Sequence, residues 1–224
     1  MNARLQALYN TIEEDNRPKF LANQVVPDTM WGKHIFGGTL QIDLSEEARD
    51  DVCKLQKDLD GLEPDNLLFL PRQYQHISFN QVVFWGGEYT LGTKETWDQC
   101  KEQFITEFTK LDQAFKSFPV TFSRLIATTG GIIWVAYDEN DEMETLRNTF
   151  LHQLPFPPET TKYNHIIHTT VARFKNKMNN PKRVLDYLAS YKDSVSMKVD
   201  SIILRNELIY PSIQTTELTK ITLK

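Results

Sequence analysis

Apolar and polar positions alternate with a period of two in several short segments of this chain, which indicates β-strands. In the clearest of them, Leu40, Ile42 and Leu44 fall on one face. Gly130-Gly131 separates two further segments of this kind and predicts a hairpin. We predict strands over residues 39–44, 74–83, 120–128, 132–137, 165–174, 196–209 and 214–223.

Apolar residues spaced three or four apart predict helices between these strands. Ser45, followed by Glu46 and Glu47, is typical of a helix N-cap with an acidic first turn. The predicted helices cover about residues 45–58, 93 or 96 to 118, 140–154 and 181–191, and a helical pattern also precedes Pro18. A strand-helix-strand order occurs in each half of the chain, so we expect an α+β protein with an internal pseudo-duplication.

Two of the predicted strands carry a histidine two residues before a hydroxyl side chain. The motifs read His76-Ile77-Ser78-Phe79 and His168-Thr169-Thr170-Val171. Because residues i and i+2 of a strand project from the same face, His76 lies beside Ser78, and His168 lies beside Thr170. One match alone would favour a hydrogen-bonded, partly buried strand histidine. Two matches, each on a strand and in separate halves of the chain, favour a shared site.

Two imidazoles and two hydroxyls are suited to the chemistry of a phosphate ester. The hydroxyls bind phosphate oxygens, one histidine accepts a proton and the other donates one. An unperturbed imidazole has a pKa of roughly 6.5, so one ring can be neutral and the other protonated near neutral pH. The sequence does not tell which histidine is the base. This chemistry needs no cofactor, and without a Cys/His cluster or a paired-Asp motif we predict no metal site.

Composition narrows the class of partner. The chain is 40% hydrophobic and 11% aromatic, which is typical of a globular protein. A net charge of −5 argues against the broad basic surface that bulk DNA or RNA binding requires. It remains compatible with a nucleotide or an RNA end bound in one cleft.

No apolar run could span a bilayer and residues 1–16 do not resemble a signal peptide, so we expect a cytoplasmic protein with no membrane contact. We interpret Cys53 and Cys100 as reduced packing residues.

Four further side chains are candidates for substrate binding. Trp85 follows the first motif, while Arg205 and Tyr210 lie on or beside the last strands. Aromatic rings stack on nucleobases and guanidinium groups bind phosphate. For Trp85, packing between the lobes is the favoured interpretation. Arg173 lies five residues after His168, so strict alternation places it on the opposite face, as a structural or rim residue.

The two motifs, each on a strand in one of two similar halves, resemble the two-histidine phosphoesterase superfamily, which includes LigT-like RNA 2′,3′-cyclic phosphodiesterases. The run HTTVARF, residues 168–174, is similar to a sequence often found there. Residues 38–44 and 199–206 are similar to the first strand and to the last-lobe strand of that family. Thr169 stands where the family usually has an apolar residue, and Ser78 replaces the commoner threonine, but both hydroxyls remain.

This resemblance implies a bilobal fold, in which two antiparallel sheets with outer helices surround a central cleft. It covers residues 36–224 as one two-lobed phosphoesterase domain and leaves residues 1–35 as an N-terminal extension. Trp31 and Phe36 are candidate wall residues of the cleft, and the extension is a candidate lid or specificity element.

The resemblance also implies a function. We expect a monomeric, metal-independent phosphodiesterase that acts on 2′,3′-cyclic phosphates or 2′-linked phosphodiesters of nucleotides and RNA ends. His76 and His168 would be catalytic, and Ser78 and Thr170 would bind the phosphate. Two alternatives remain open: a non-catalytic module that binds a nucleotide or RNA end with the same fold, and a structural protein in which the motifs are coincidental.

Overall fold

The computed structural model describes residues 2–160 and 165–224. Within them the helices are α1 (Ala3–Leu21), α2 (Glu46–Leu62), α3 (Thr93–Thr109), α4 (Glu142–Gln153) and α5 (Pro181–Ser190), with a 3-10 turn at Arg72–Tyr74. The strands are β1 (His34–Asp43), β2 (Leu67–Leu68), β3 (His76–Val83), β4 (Phe118–Ala127), β5 (Ile132–Tyr137), β6 (His168–Phe174), β7 (Val195–Val199), β8 (Ser201–Ile209) and β9 (Gln214–Thr222). No helix of these described residues is long and apolar enough to cross a membrane.

The strands form two antiparallel sheets. One has the order β3-β1-β8-β9 and the other the order β2-β6-β5-β4-β7. Strands β3 and β6, which carry the two motifs, are in contact where the sheets adjoin. The predicted α+β fold, with two antiparallel sheets and helices around a cleft, is confirmed.

The halves of the chain do not each form a separate sheet. Strand β8 contains residues 201–206 of the segment compared with the last-lobe strand, and it pairs with β1 in the sheet that carries His76. Strand β7 ends at Val199 and belongs to the other sheet. The single predicted strand over residues 196–209 is therefore wrong, because the chain crosses between the sheets at Asp200.

Several helix boundaries match local physical chemistry. Ser45 is the N-cap of α2, as predicted, and its hydroxyl accepts a hydrogen bond from the amide of Ala48 (3.2 Å). Helix α1 continues through Pro18 to Leu21. Helix α3 ends at Thr109, nine residues earlier than the sequence pattern predicted. Just after the helix, the amide of Gln113 donates to the carbonyl of Thr222 (2.8 Å), so the chain bonds to β9 instead of forming further helical turns.

Helix α1 lies within residues 1–35, the predicted extension, and packs into the core. Leu5, Tyr9 and Phe20 are fully buried, and the Phe20 and Phe174 ring centroids are 5.9 Å apart. The division of the chain at residue 35 stays a prediction. The burial of these three side chains nevertheless means that α1 contributes to stability.

Candidate active site

The two motifs line one cavity of about 210 Å³ between the sheets. All four motif side chains that the sequence singled out are in its wall: His76, Ser78, His168 and Thr170. The other wall residues are Trp31, Leu68, Leu70, Gln81, Phe84, Trp85, Arg173, Glu207, Tyr210, Pro211 and Ser212. Residues 92 positions apart in the chain are thus brought to a common surface.

The backbone and the neighbouring hydroxyl fix the His76 ring. Its Nδ1 lies 2.7 Å from the carbonyl oxygen of Tyr74, and its Nε2 lies 3.3 Å from Oγ of Ser78. A carbonyl oxygen only accepts, so Nδ1 carries the proton of that bond. In the neutral ring Nε2 is then the acceptor, placed beside the hydroxyl at the cavity wall.

The pKa of His76 is lowered to about 4. Burial, which disfavours the charged imidazolium, is the main cause, and the positive charge of Arg205 acts in the same direction. The hydrogen bond to Tyr74 and the negative charge of Asp43 oppose the change but are outweighed. Near neutral pH the ring is therefore neutral, and its Nε2 can accept a proton.

Behind His76, Arg205 makes an ion pair with Asp43 of the neighbouring strand. The two guanidinium nitrogens Nη1 and Nη2 lie 2.7 and 2.9 Å from the two carboxylate oxygens, and Nη1 also donates to Oε1 of Gln41 (3.0 Å). Burial alone would raise the pKa of Asp43, but these bonds and the charge of Arg205 lower it. Arg205 is absent from the described cavity wall, so its contact with substrate phosphate stays a prediction.

Arg173, by contrast, lines the cavity together with His168, so the prediction that it faces the opposite side is wrong. The reason is an irregularity in β6: Ile133 pairs with Thr170, but Ile132 pairs with Ala172. The extra residue reverses the alternation of faces. The Arg173 guanidinium lies 3.4 Å from the carboxylate of Asp28 and 5.3 Å from the centroid of the Tyr210 ring.

Aromatic side chains form one part of the wall. The Trp85 and Tyr210 rings meet edge to face with centroids 4.8 Å apart, and Phe84 packs on Trp85 at 5.2 Å. Burial raises the pKa of the Tyr210 hydroxyl to about 12. Trp31 also lines the cavity, while Phe36 is 46% exposed, is absent from that wall and packs near Lys94 instead.

The segment before β1 supports this wall. The amide of Gly32 donates to the carbonyl of Tyr210 (2.9 Å), and the amide of Tyr210 donates to the carbonyl of Lys33 (3.0 Å). Asp28 contacts Arg173 as described above, and Trp31 adds its ring. Residues of the predicted N-terminal extension thus build one side of the cavity.

Arg147, which sequence reasoning missed, joins β3 to the segment just before β6. Its guanidinium donates to the backbone carbonyls of Phe79 (2.9 Å), Ile166 (3.0 Å) and Ser78 (2.8 Å). It is 3% exposed, and burial lowers its pKa to about 10. The sequence did carry a signal for this role, because Arg147 is a charged residue on the face of α4 that also carries Leu146 and Phe150.

Tyr9 of α1 makes a second clamp, on β5 and on the residue just before β6. Its hydroxyl donates to the carbonyl of Ala136 (2.7 Å), lies 3.1 Å from the carbonyl of Ile167, and accepts a bond from the amide of Ile167 (3.1 Å). Burial raises the pKa of Tyr9, so the hydroxyl keeps its proton. The residue next to His168 is therefore fixed by a helix far away in sequence.

Other histidines and cysteines lie away from this cavity. His165 is exposed, 3.7 Å from Glu144, and His152 lies on α4. Cys53 and Cys100 are free thiols. Within residues 2–160 and 165–224 no group of three or more His, Cys, Asp or Glu side chains could hold a metal ion.

Comparison with known proteins identifies the family. Residues 90–208, more than half of the chain, match the model of the 2′-5′ RNA ligase superfamily, and the chain belongs to this superfamily. The matched segment contains the second motif, whereas the first motif precedes it. The predicted resemblance to LigT-like two-histidine phosphoesterases is confirmed, and membership supports phosphodiesterase-type chemistry in general. No curated protein sequence matches the chain.

Solved structures share the fold at low sequence identity. The Agrobacterium tumefaciens C58 protein ATU0111, described as a conserved protein of unknown function, is 14% identical, with a TM-score of 0.63 over 90% of this chain and 98% of its own. Escherichia coli LigT complexed with 3′-AMP is 12% identical, with a TM-score of 0.55 over 86% and 99%. TT0787 of Thermus thermophilus is 15% identical, with a TM-score of 0.54 over 83% and 97%.

Proposed function

We propose that this protein is a metal-independent phosphodiesterase that opens 2′,3′-cyclic phosphates or cleaves 2′-linked phosphodiesters of nucleotides and RNA ends. One observation carries the proposal: two imidazoles and two hydroxyls, from strands of different sheets, line the same cavity. Two imidazoles supply both proton transfers that hydrolysis of such an ester requires.

His76 is the general base in this mechanism. Its neutral ring, with Nδ1 bonded to Tyr74, presents Nε2 as the proton acceptor. Nε2 takes a proton from water while the water oxygen forms a bond to phosphorus. The bond from phosphorus to one ribose oxygen breaks, and His168 gives that oxygen a proton. Atoms and charge balance, because the proton taken by one histidine replaces the proton given by the other.

The hydroxyls and Arg173 stabilise the charge on the phosphoryl group. Ser78 and Thr170 donate to the non-bridging oxygens, whose negative charge grows as the water attacks. Arg173 brings a guanidinium to the cavity wall, and its positive charge attracts the anionic substrate. Trp85 and Tyr210 offer aromatic surface to the nucleobase. The LigT structure with 3′-AMP supports a nucleotide as the ligand class.

A substrate panel tests the proposal. Purified protein in EDTA is incubated with 2′,3′-cyclic mononucleotides, a 2′,5′-linked dinucleotide and, as the control, a 3′,5′-linked dinucleotide, and products are separated by chromatography. We expect turnover of the cyclic or 2′-linked substrates and none of the control. Binding of these substrates by the folded protein without any product would contradict an enzyme and establish a binding module.

A further inference from the structure

Glu207 is an acidic side chain in the cavity wall for which the proposed mechanism has no use. It lies on β8 and is only 5% exposed, yet it lines the same cavity as the histidines. A carboxylate is an unfavourable neighbour for a phosphate of like charge. The presence of Glu207 in the cavity wall therefore indicates that a part of the substrate other than the phosphate lies beside it.

Hydrogen bonds orient the Glu207 carboxylate. Nε2 of Gln41 donates to Oγ of Ser212 (3.0 Å), and the Ser212 hydroxyl donates to Oε1 of Glu207. The Ser212 hydroxyl therefore orients Oε1 of Glu207, and the Gln41 amide orients that hydroxyl. Carboxylate oxygens accept hydrogen bonds, so this side chain suits a ligand that brings N–H groups.

The strand register places the backbone of Glu207 beside the end of β3 that leads to Trp85. Gln41 of β1 pairs with Ser78, whereas Gly37 of β1 pairs with Glu207. Four residues of strand correspond to about 13 Å between these backbone positions at roughly 3.3 Å per residue. The side-chain series from Gln41 through Ser212 to Glu207 spans part of that length. Glu207 is thus on the side of Trp85, whose amide nitrogen is also close to Gly37.

Gly37 allows the backbone of β1 to lie close to the carbonyl oxygen of Val83 at the end of β3. A Cβ on it would lie 2.7 Å from the carbonyl oxygen of Val83, 3.6 Å from the Trp85 amide and 3.8 Å from Oε2 of Glu207. The 2.7 Å approach to the Val83 carbonyl is too short for a side-chain carbon, so only glycine fits here, while the Glu207 carboxylate lies at ordinary contact distance. The carboxylate and the Trp85–Tyr210 ring pair consequently belong to the same part of the wall.

We propose that Glu207 determines base specificity by binding the donor edge of guanine, so that guanosine phosphoesters are the preferred substrates. The proposal rests on the function proposed above. Guanine presents two adjacent donors, N1–H and the exocyclic amino group, which match a carboxylate. Adenine and cytosine offer only an amino group, and uracil offers one N–H between two carbonyl oxygens that the carboxylate repels. A base that presents a carbonyl oxygen or a single donor to the carboxylate therefore binds more weakly.

The experiment compares four substrates and three proteins. We measure kcat/KM for the 2′,3′-cyclic phosphates of guanosine, adenosine, cytidine and uridine with wild type, Glu207→Gln and Glu88→Gln. Glu88 is exposed, so its variant makes the same charge change outside the cavity. We expect wild type to prefer the guanosine substrate over the uridine one by about tenfold or more, the size of effect expected for hydrogen bonds to a charged group. Glu207→Gln should abolish this preference, and Glu88→Gln should keep it.

Equal wild-type kcat/KM for all four bases would overturn the proposal, whether or not the variant folds. A Glu207→Gln variant that loses the same factor on all four substrates would also overturn it, because that result indicates a purely structural role. If no substrate is turned over, the proposed function fails on its own. Calorimetric binding of 3′-GMP against 3′-UMP then decides the role of Glu207: equal affinities refute it, and tighter 3′-GMP binding that Glu207→Gln removes supports it.

Discussion

The lowered pKa of His76 predicts a measurable dependence of stability on pH. Its folded-state pKa is about 4, against roughly 6.5 for an imidazole in an unfolded chain. Between these values the unfolded chain binds a proton that the folded protein excludes. This contribution to stability is therefore complete above about pH 6.5 and is lost as the pH falls toward 4. At about 1.4 kcal/mol for each pH decade, the loss by about pH 4.5 amounts to about 2.5 kcal/mol.

The assay is urea unfolding at about pH 7, 5.5 and 4.5, for wild type and His76→Gln. Glutamine keeps a hydrogen-bonding amide but does not titrate, so subtracting the two free energies of unfolding removes the contributions of all other groups. We expect this difference to fall by about 2.5 kcal/mol from the highest to the lowest pH. Parallel curves for the two proteins would refute the argument, because His76 would then titrate alike in both states.

Three further variants test the parts of the site. Arg147→Met removes three hydrogen bonds to backbone carbonyls at about 1 kcal/mol each, so urea unfolding should show a loss of about 3 kcal/mol in the free energy of unfolding. Wild-type stability of this variant would contradict the clamp. Tyr9→Phe should cost about 1 kcal/mol and lower kcat, whereas an unchanged unfolding midpoint would show that this hydroxyl is dispensable. Arg173→Ala should raise KM about tenfold or more with its fold intact by circular dichroism, and an unchanged KM would exclude a contact with phosphate.

The periodic parts of the structure were predictable from the sequence. The hairpin through Gly130-Gly131, the Ser45 cap and both motif strands follow from local rules that involve neighbours in the chain. The i, i+2 spacing likewise placed each hydroxyl beside its histidine, and the Ser78–His76 contact at 3.3 Å agrees with it. These features depend on backbone geometry within one strand or turn.

What the sequence could not supply depends on distant contacts. The irregularity that turns Arg173 into the cavity arises from pairing between β6 and β5 and leaves no mark in local alternation. Arg205 carries the positive charge expected of a residue that binds phosphate, but it forms an ion pair with Asp43 on a neighbouring strand. Glu207 enters the wall because β8 crosses back to β1, a pairing that no local pattern encodes. The roles assigned to the histidines remain predictions from spacing, geometry and charge.

A double-variant comparison tests the central claim, that His76 and His168 act as a unit on one phosphate, most directly. We measure kcat for wild type, His76→Ala, His168→Ala and the double variant on the best substrate of the panel. General acid–base groups each contribute about a hundredfold to ten-thousandfold, and groups that work in one step are not additive. The account predicts that each single variant loses about a thousandfold and that the double variant is little worse. Near wild-type turnover by either folded single variant would contradict it.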